Sequence, residues 1–381
     1  MITRYLDNAA TTPVRPEVLD AMMPYLTEEF GNPSSHHETG ERAARALRQA
    51  REQVAAALGM RPGDVIFTSG GTEANNLAVK GIAIAAAADR GARHLVTTPI
   101  EHESILESMA YLERVHGFCA TRVLVDAMAR VSPDAVAAAV RDDTAVVSIG
   151  YANNEVGTVQ DAASLAGAVH ERGGILHLDA VQAAGWLPLA ALGADALSLA
   201  GHKIGAPKGT GVLAVRGRIR LEPLLHGGGQ ERGRRSGTEN VAGAVGFARA
   251  LLAAEAERED AARRVAAIRD EFVADVLTRV PSARLTGDPQ RRLPGTASFT
   301  FAGTSGESVL LELERRAITG SSGSACAAGS DEPSHVLVAM GIAPEVAQTA
   351  VRFTLSSRHR ESLTDVAEAV ARAVAAVQSS A

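Results

Sequence analysis

Short strand-like segments alternate with amphipathic helical segments through the first two thirds of the chain, and this alternation constrains the fold more than any other feature. The strand-like segments are apolar runs rich in β-branched residues. We predict strands over residues 64–68, 94–97, 145–149, 175–179, 196–199 and 211–215. We predict helices over residues 16–29, 41–58, 73–88, 103–116, 133–140 and 162–172. Because parallel strands are joined by crossover helices, the pattern predicts an α/β fold with a mainly parallel sheet covered by helices.

The pattern changes beyond residue 240. A long helical stretch, 240–280, leads to a region that we predict to be a smaller α+β unit. Its predicted strands are 297–301 and 351–355, and its predicted helices are 307–316, 334–340 and 363–377. The 381 residues are 46% hydrophobic, which is more than one ordinary core holds. We therefore expect two domains, or one large domain with a satellite.

Composition argues against several classes of protein. The net charge is −6 and no basic block is present, so direct nucleic-acid binding has no support. The longest apolar run, 81–88, is far shorter than the roughly 20 residues that span a bilayer, so we expect no membrane association. The N-terminal residues contain no apolar signal core. The two cysteines, Cys119 and Cys326, make neither a disulfide framework nor a metal-binding pair, so we expect a reducing, cytoplasmic location. We expect Cys119, which lies in strand-like sequence, to be structural.

Lysine is rare in this chain, and one lysine lies where amine chemistry is favoured. Lys80, Lys203 and Lys208 are the lysines among 38 basic residues. A guanidinium cannot form a Schiff base, so a retained lysine can indicate amine chemistry. Lys203 follows a predicted strand on a glycine-rich loop, where it suits an imine with an aldehyde cofactor. The alternative is a surface lysine. His202 beside it could contact a phosphate.

Further polar residues follow other predicted strands. Asp179 ends the strand at 175–179, where it could hold a protonated ring nitrogen or cap a helix. Gln182 could donate to a ring oxygen. His102 follows the strand at 94–97, where its imidazole could stack on a ring and move protons, or be structural. Asn153, after the strand at 145–149, could bind cofactor or substrate or be a turn residue.

The stretch FTSGGTEANN, 67–76, reads as a strand end, a glycine turn and a helix start. The backbone of Gly71, the hydroxyl of Thr72 and the first amides of the helix could bind an anion. The sequence matches neither a P-loop nor a dinucleotide fingerprint, so these nucleotide sites are not expected. The alternative is an ordinary turn with a threonine cap.

Three further positions, Thr238, Arg352 and Cys326, have candidate functional roles. Thr238, in the glycine-rich and basic stretch 227–240, could contact an anion or belong to a mobile loop. Arg352 begins a strand and could grip a substrate carboxylate through two parallel hydrogen bonds, or lie at a strand edge in solvent. Cys326 lies in SSGSACAAGS, which has no bulky apolar residue, so it is an unusual place for a core cysteine.

Taken together, these motifs resemble those of the pyridoxal-phosphate-dependent cysteine desulfurases of the class V aminotransferase fold. The resemblance runs nearly from end to end. It is carried in order by LDNAATTP, GNPSSHH, SGGTEANN, EHESIL, NNEVGTVQ, HLDAVQAAG, GHKIGAPKG, GGGQERGRRSGTEN, GSACAAGS and VRFTLS. It implies fold type I, with a seven-stranded sheet in a large cofactor-binding domain, 12–255. The small domain would comprise 1–11 and 256–381 and carry the cysteine loop.

The resemblance also implies roles for the site residues. Lys203 would bind pyridoxal 5'-phosphate as a Schiff base, and Asp179 would pair with the ring nitrogen. His102 would stack on the ring. The remaining cofactor contacts would come from Gly71, Thr72, Asn153, Gln182, Ala200, His202 and, from the partner subunit of a homodimer, Thr238.

The implied reaction takes sulfur from L-cysteine. Arg352 and Asn153 would hold the substrate carboxylate, and the Cys326 thiolate would accept the sulfur as a persulfide, leaving L-alanine. A loop of small residues would let Cys326 reach both the cofactor and a sulfur-acceptor protein, either an iron–sulfur scaffold or an RNA- or DNA-thiolating enzyme. A selenocysteine lyase, another class V transaminase or lyase, or a non-enzymatic sulfur carrier are the alternatives.

Two positions depart from the family pattern. Ala200 stands where the family often has serine, so a hydroxyl contact to the phosphate is expected to be missing, although the backbone amide can contribute. Gln230 stands where many members have histidine, which argues against a proton-transfer role at that position.

Overall fold

The structure is a computed structural model and describes residues 3–322 and 332–380. Its thirteen described strands are β1 (Arg4–Tyr5), β2 (Val65–Thr68), β3 (His94–Thr97), β4 (Cys119–Arg122), β5 (Thr144–Gly150), β6 (Leu176–Asp179), β7 (Ala196–Ala200), β8 (Gly211–Val215), β9 (Ala283–Leu285), β10 (Thr296–Phe301), β11 (Ile318–Thr319), β12 (Ser321–Ser322) and β13 (Ala350–Thr354). The described helices are α1 (Pro16–Thr27), α2 (Glu38–Leu58), α3 (Gly71–Asn76), α4 (Ile82–Arg90), α5 (Glu103–His116), α6 (Pro133–Ala139), α7 (Ala162–Glu171), α8 (Val241–Arg279), α9 (Gly306–Glu314), α10 (His335–Ala339), α11 (Pro344–Ala347) and α12 (Thr364–Ser380).

A seven-stranded sheet forms the centre of the larger part, in the order β2-β8-β7-β6-β5-β3-β4. The five strands from β7 to β4 run parallel to one another, whereas β8 is antiparallel to both its neighbours, β7 and β2. Almost every side chain of β3, β5, β6, β7 and β8 is buried, because helices cover both faces of the sheet. The predicted α/β architecture is confirmed.

The six strands predicted for this sheet agree with the structure to within one residue at each end. The predicted helix 73–88 is interrupted. α3 ends at Asn76, a π-helical turn spans Leu77–Gly81, and α4 follows. β4 is a seventh strand beyond the six predicted, at the sheet edge beside β3, and it contains Cys119, whose sequence is strand-like. Cys119 lies on β4 with its side chain exposed, so it is not part of the core.

A second, smaller sheet is antiparallel, in the order β12-β13-β10-β9. Its core includes Phe272, Phe299 and Phe353, whose rings pack edge to face with centroids 5.3 to 6.4 Å apart. Leu6 lies in the same core, so the first residues of the chain belong to this smaller part. β1 pairs in parallel with β11.

The 39-residue helix α8 joins the two parts. At 1.5 Å per residue it is about 58 Å long. Its first half contributes Phe247 and Leu251 to the core beneath the large sheet, and its second half contributes Val265 and Phe272 to the core of the small one. Asn240 caps the helix by accepting a hydrogen bond from the backbone amide of Gly243 at 2.9 Å. Within the described residues, no helix is both long and apolar enough to cross a bilayer.

Candidate active site

A cavity of about 320 Å³ opens at the carboxyl ends of the parallel strands β5, β6 and β7. This is the edge of an open α/β sheet where ligands bind. The segment Ala9–Ala10 and Arg352 of β13 close it from the side of the small sheet. It brings together nearly all the predicted site residues that the structure describes: Gly71, Thr72, His102, Asn153, Asp179, Gln182, Ala200, His202, Lys203 and Arg352.

A glycine turn between β2 and α3 forms one wall. Gly70 has φ of +156°, and the Cβ of any larger residue at Gly71 would lie 2.8 Å from Cγ2 of Val181. Gly211 of β8 runs directly behind this turn, where a Cβ would lie 2.6 Å from Cα of Gly70. The close approach of these backbones leaves room at the start of α3, beside Thr72.

Asp179 ends β6 and is 9% exposed. Its Oδ1 accepts a hydrogen bond from the backbone amide of Val181 at 2.9 Å, and its Oδ2 accepts one from Nδ2 of Asn75 at 2.7 Å. Each oxygen of the carboxylate therefore has a fixed donor, which holds the group rigidly at the cavity wall.

Asn153 occupies a tight turn after β5. Its Oδ1 accepts from the backbone amides of Glu155 and Val156, each at 2.9 Å, and its Nδ2 donates to the carbonyl of Ile100 at 3.0 Å. Asn153 is therefore a turn residue, which is one of the roles that the sequence left open. The residue also lines the cavity, and its amide nitrogen carries a second hydrogen.

Lys203 lies in a short 3₁₀ turn directly after β7. Its Nζ donates to the carbonyl oxygen of Ala10 at 2.8 Å and to that of Ala9. Gln182 also donates to Ala9, at 3.1 Å. Two carbonyl oxygens from the N-terminal segment thus hold the amine at the cavity.

His202 contacts the same N-terminal segment, with its Nδ1 3.2 Å from Oγ1 of Thr11. Burial lowers the pKa of its imidazole to about 4, with a further contribution from the charges of Lys203 and Lys208. The ring is therefore uncharged at neutral pH, when one of its nitrogens is a donor and the other an acceptor.

Arg352 is buried in β13, 4% exposed, rather than at a solvent edge. Its Nη1 donates to the carbonyl of Asn154 and its Nη2 to Oδ1 of Asp7, each at 2.8 Å. Its Nε is buried and has no partner within the described residues. A buried guanidinium with unused donor capacity beside a cavity suits an anionic ligand.

Glu101 is a cavity residue that the sequence analysis missed. Its Oε1 accepts from the hydroxyl of Thr98 and its Oε2 from the backbone amide of Gly150, each at 2.6 Å. Burial raises the pKa of this carboxyl to about 8, and the nearby negative charge of Asp179 adds to the rise. The group is therefore largely protonated at neutral pH. The sequence EHESIL did not point to Glu101, because the neighbouring His102 is the residue there with recognisable catalytic chemistry.

One predicted site residue among those that the structure describes lies elsewhere. Thr238 is on an exposed loop and does not line this cavity within the chain described. The loop is held rather than mobile at its start, because Glu231 forms two hydrogen bonds with Arg51, at 2.6 and 2.8 Å. Gln230, the departure from the family pattern, accepts from the backbone amide of Gly237 at 2.9 Å. Cys326 lies outside the described residues.

Comparison with known proteins agrees with this geometry. The family model for class V aminotransferases matches residues 4–362. A cysteine desulfurase IscS of Methanosarcina thermophila is 46% identical over 353 residues, covering 92% of this chain and 86% of that one. The solved structure of a NifS-like protein is 36% identical, covers 99% of both chains and has a TM-score of 0.89. The structure of SspA in complex with cysteine is 35% identical, covers 93% of this chain and 99% of that one, and has a TM-score of 0.80.

The chain therefore belongs to the class V aminotransferase family of fold type I. Within it, the chain is a cysteine desulfurase with pyridoxal phosphate as cofactor, as the sequence resemblance predicted. The cavity residues fit this cofactor chemically. Lys203 carries an amine that can react with an aldehyde, and Asp179 is a fixed carboxylate that suits a ring nitrogen. The glycine turn and the first amides of α3 suit a phosphate.

Proposed function

We propose that the cavity between β5, β6, β7 and β13 is where this enzyme removes sulfur from L-cysteine, giving L-alanine. The observation that carries the proposal is the convergence on one cavity of Asp179 from the end of β6, Lys203 from the turn after β7 and Arg352 from β13. An amine, a fixed carboxylate and a buried guanidinium are the groups that an aldehyde cofactor and an amino-acid substrate require.

The cofactor, when bound, supplies an electron-withdrawing ring that stabilises negative charge on the substrate. Lys203 holds it covalently, and Asp179 accepts a hydrogen bond from its ring nitrogen. His102 stacks on the ring and moves the substrate proton. The ring oxygen side and the phosphate are held by Asn153, Gln182, Gly71, Thr72, His202 and the backbone amide of Ala200.

Arg352 and Asn153 hold the carboxylate of L-cysteine. Support comes from the buried Nε of Arg352 and from the turn that fixes Asn153 next to Asn154, whose carbonyl accepts from Arg352. Asp7 neutralises Arg352 in part, and its bond to Nη2 competes with a substrate carboxylate. The bonds to Asn154 and Asp7 also orient the guanidinium before the substrate arrives, which lowers the entropic cost of binding.

We assign Cys326 as the residue that takes the sulfur as a persulfide and passes it to an acceptor protein. The support is its small-residue surroundings in the sequence and the likeness to cysteine desulfurases. An iron–sulfur scaffold or an RNA- or DNA-thiolating enzyme is the acceptor class that we propose.

The proposed assembly is a homodimer in which Thr238 of the partner subunit completes the phosphate site. Its exposure on a loop anchored by Arg51 and Glu231 supports this, because an exposed and held residue can be presented to a second copy. We also propose that residues 12–255 form the large domain and that 1–11 with 256–381 form the small one. A cytoplasmic location, suggested by the two cysteines, belongs to the same proposal.

The two cysteines of the chain allow a matched test. Cys326→Ala is expected to keep the absorption band of the bound cofactor while release of alanine and sulfide from L-cysteine falls by about 10²-fold or more, since an essential nucleophile is missing. Cys119→Ala removes the exposed thiol on β4 and is expected to behave as the wild type. Full desulfurase activity in Cys326→Ala would show that the sulfur does not pass through this thiol.

A further inference from the structure

One side-chain amide connects two groups of the proposed active site. Asn75, on α3, is 2% exposed. Its Nδ2 donates one hydrogen to Oδ2 of Asp179 at 2.7 Å and the other to Oγ of Ser104 at 2.9 Å. Ser104 lies in the first turn of α5, two residues after His102. The amide therefore joins the carboxylate at the end of β6 to the start of the helix that follows His102.

The donors and acceptors in the hydrogen bonds that link Asn75, Ser104 and His102 can be assigned. The backbone amide of Ser104 donates to Nδ1 of His102 at 3.0 Å, so Nδ1 is an acceptor. The uncharged imidazole must then carry its hydrogen on Nε2. Because Nδ1 is an acceptor, its 2.8 Å contact with Oγ of Ser104 requires the hydroxyl to donate to His102, while the same Oγ accepts from Asn75.

The orientation of the Asn75 amide is equally determined. Its Oδ1 is buried and has no hydrogen-bond partner within the described residues. Turning the amide over would place that oxygen against the carboxylate oxygen of Asp179 and would leave Ser104 without its donor. An unpaired buried acceptor is unfavourable. It persists here because the two bonds made by Nδ2 require this orientation.

We propose that Asn75 and Ser104 are positioning residues that set the ring-nitrogen partner and the ring-stacking imidazole of the cofactor site as one unit. Asn75 holds the Asp179 carboxylate, and through the Ser104 hydroxyl it also biases His102 to the tautomer with hydrogen on Nε2. The inference rests on the proposed roles of His102 and Asp179, but the hydrogen-bond chain itself does not.

The tautomer of His102 is the direct readout. In the purified holoenzyme with ¹⁵N-labelled histidine, NMR distinguishes the nitrogen that carries hydrogen, and His102→Gln identifies the relevant signals. Wild-type protein is expected to show hydrogen on Nε2. Ser104→Ala removes one of the two donors to Nδ1 and is expected to raise the population of the other tautomer. Asn75→Leu, which preserves side-chain volume, is expected to move the same signals less.

Retention of the cofactor is the second readout. Asn75→Leu removes a donor to the Asp179 carboxylate and is expected to weaken cofactor binding by about tenfold or more, the effect of losing a hydrogen bond to a charged group. Ser104→Ala leaves that donor in place and is expected to change binding by less than about threefold. Because Asn75 reaches His102 through Ser104, Asn75→Leu is expected to change the His102 signals no further in a Ser104→Ala background.

Neighbouring residues on the same helices provide matched controls. Asn76→Ala alters a half-buried amide that donates to the carbonyl of Thr72, and Ser108→Ala alters a buried hydroxyl one turn along α5 that donates only to the backbone carbonyl of Ser104. Both are expected to leave the His102 signals and cofactor retention unchanged. Hydrogen on Nδ1 in the wild type, unchanged His102 signals in Ser104→Ala or Asn75→Leu, or equal shifts in the controls would overturn the proposal. None of these results depends on whether Cys326 carries the sulfur, so failure of the proposed function would be seen separately.

Discussion

Oε2 of Glu101 accepts a hydrogen bond from the backbone amide of Gly150 at 2.6 Å, which places a buried carboxyl beside the carboxylate of Asp179. Gly150 and Asp179 are paired across β5 and β6, so the two acidic groups share one end of the sheet. Burial penalises the charged form of Glu101 and raises the pKa of its carboxyl.

The raised pKa of Glu101 predicts how the stability of the folded protein depends on pH. The pKa of Glu101 is raised from its ordinary 4.5 to about 8, so between these values the unfolded chain loses a proton that the folded protein keeps. The free energy of unfolding therefore falls as pH rises through this window, by up to roughly 1.4 kcal/mol per pH unit. Glu101→Gln removes the titration and is expected to be increasingly more stable than the wild type from pH 5 to 8.

Denaturant unfolding at several pH values measures this effect. The exposed neighbour Glu103→Gln is the control and is expected to follow the wild-type curve. Parallel pH profiles for wild type and Glu101→Gln would show that the buried carboxyl is already ionised at neutral pH.

Lys203→Ala is expected to abolish covalent retention of pyridoxal phosphate and to reduce desulfuration by at least about 10³-fold, because no other amine lies at the cavity among the described lining residues. Absorption spectroscopy after dialysis measures the first effect. Lys208→Ala changes an exposed lysine on the same loop and serves as the control. Retained cofactor absorption in Lys203→Ala would contradict the assignment.

Arg352→Lys is expected to raise KM for L-cysteine by about 10- to 100-fold, since a lysine cannot make the parallel bonds of a guanidinium. Steady-state kinetics, with cofactor absorption as a check on occupancy, measures the change. Arg284→Lys, on the exposed face of β9 in the same small sheet, is the control. An unchanged KM in Arg352→Lys would place the substrate carboxylate elsewhere.

Gly211→Ala tests the backbone packing behind the glycine turn. The added methyl would lie 2.6 Å from Cα of Gly70, so the turn must move. We expect a loss of about 1–3 kcal/mol in unfolding free energy and weaker cofactor binding, measured by denaturant titration and by cofactor release. Gly217→Ala, just after β8, meets its nearest atoms at 3.4 Å and is expected to be tolerated. Equal effects of the two substitutions would argue against a specific contact at Gly70.

Much of the large sheet could be predicted from the sequence because its strands are buried on both faces and read as continuous apolar runs. β4 was harder to predict because its four residues, CATR, end in two polar residues and lie at an exposed edge. β1 and β11 have two residues each, and their pairing joins segments more than 300 residues apart, which no local pattern reveals.

In the candidate site, too, the residues marked by local sequence could be predicted, whereas those defined by contacts between distant segments could not. Asp179 and Lys203 could be predicted because strand ends are where such groups act in α/β sheets. The sequence left open whether Arg352 is a solvent-exposed arginine at a strand edge or a substrate-binding one. The packing of β13 against the N-terminal segment shows that it is buried. Asn75 and Glu101 depend on contacts between separate elements, so their place in the cavity emerges only from the tertiary structure.

Leu6 and Asn8 have a further consequence for how a newly translated chain matures. Leu6 accepts from, and Asn8 donates to, the backbone of Thr354, which is synthesised 346 residues after Asn8. At about 5–20 residues per second, that interval is on the order of tens of seconds. Ala9 and Ala10, which hold the amine of Lys203, can take their final place only after β13 is synthesised. Loading of the enzyme with its cofactor therefore has to await the synthesis of β13.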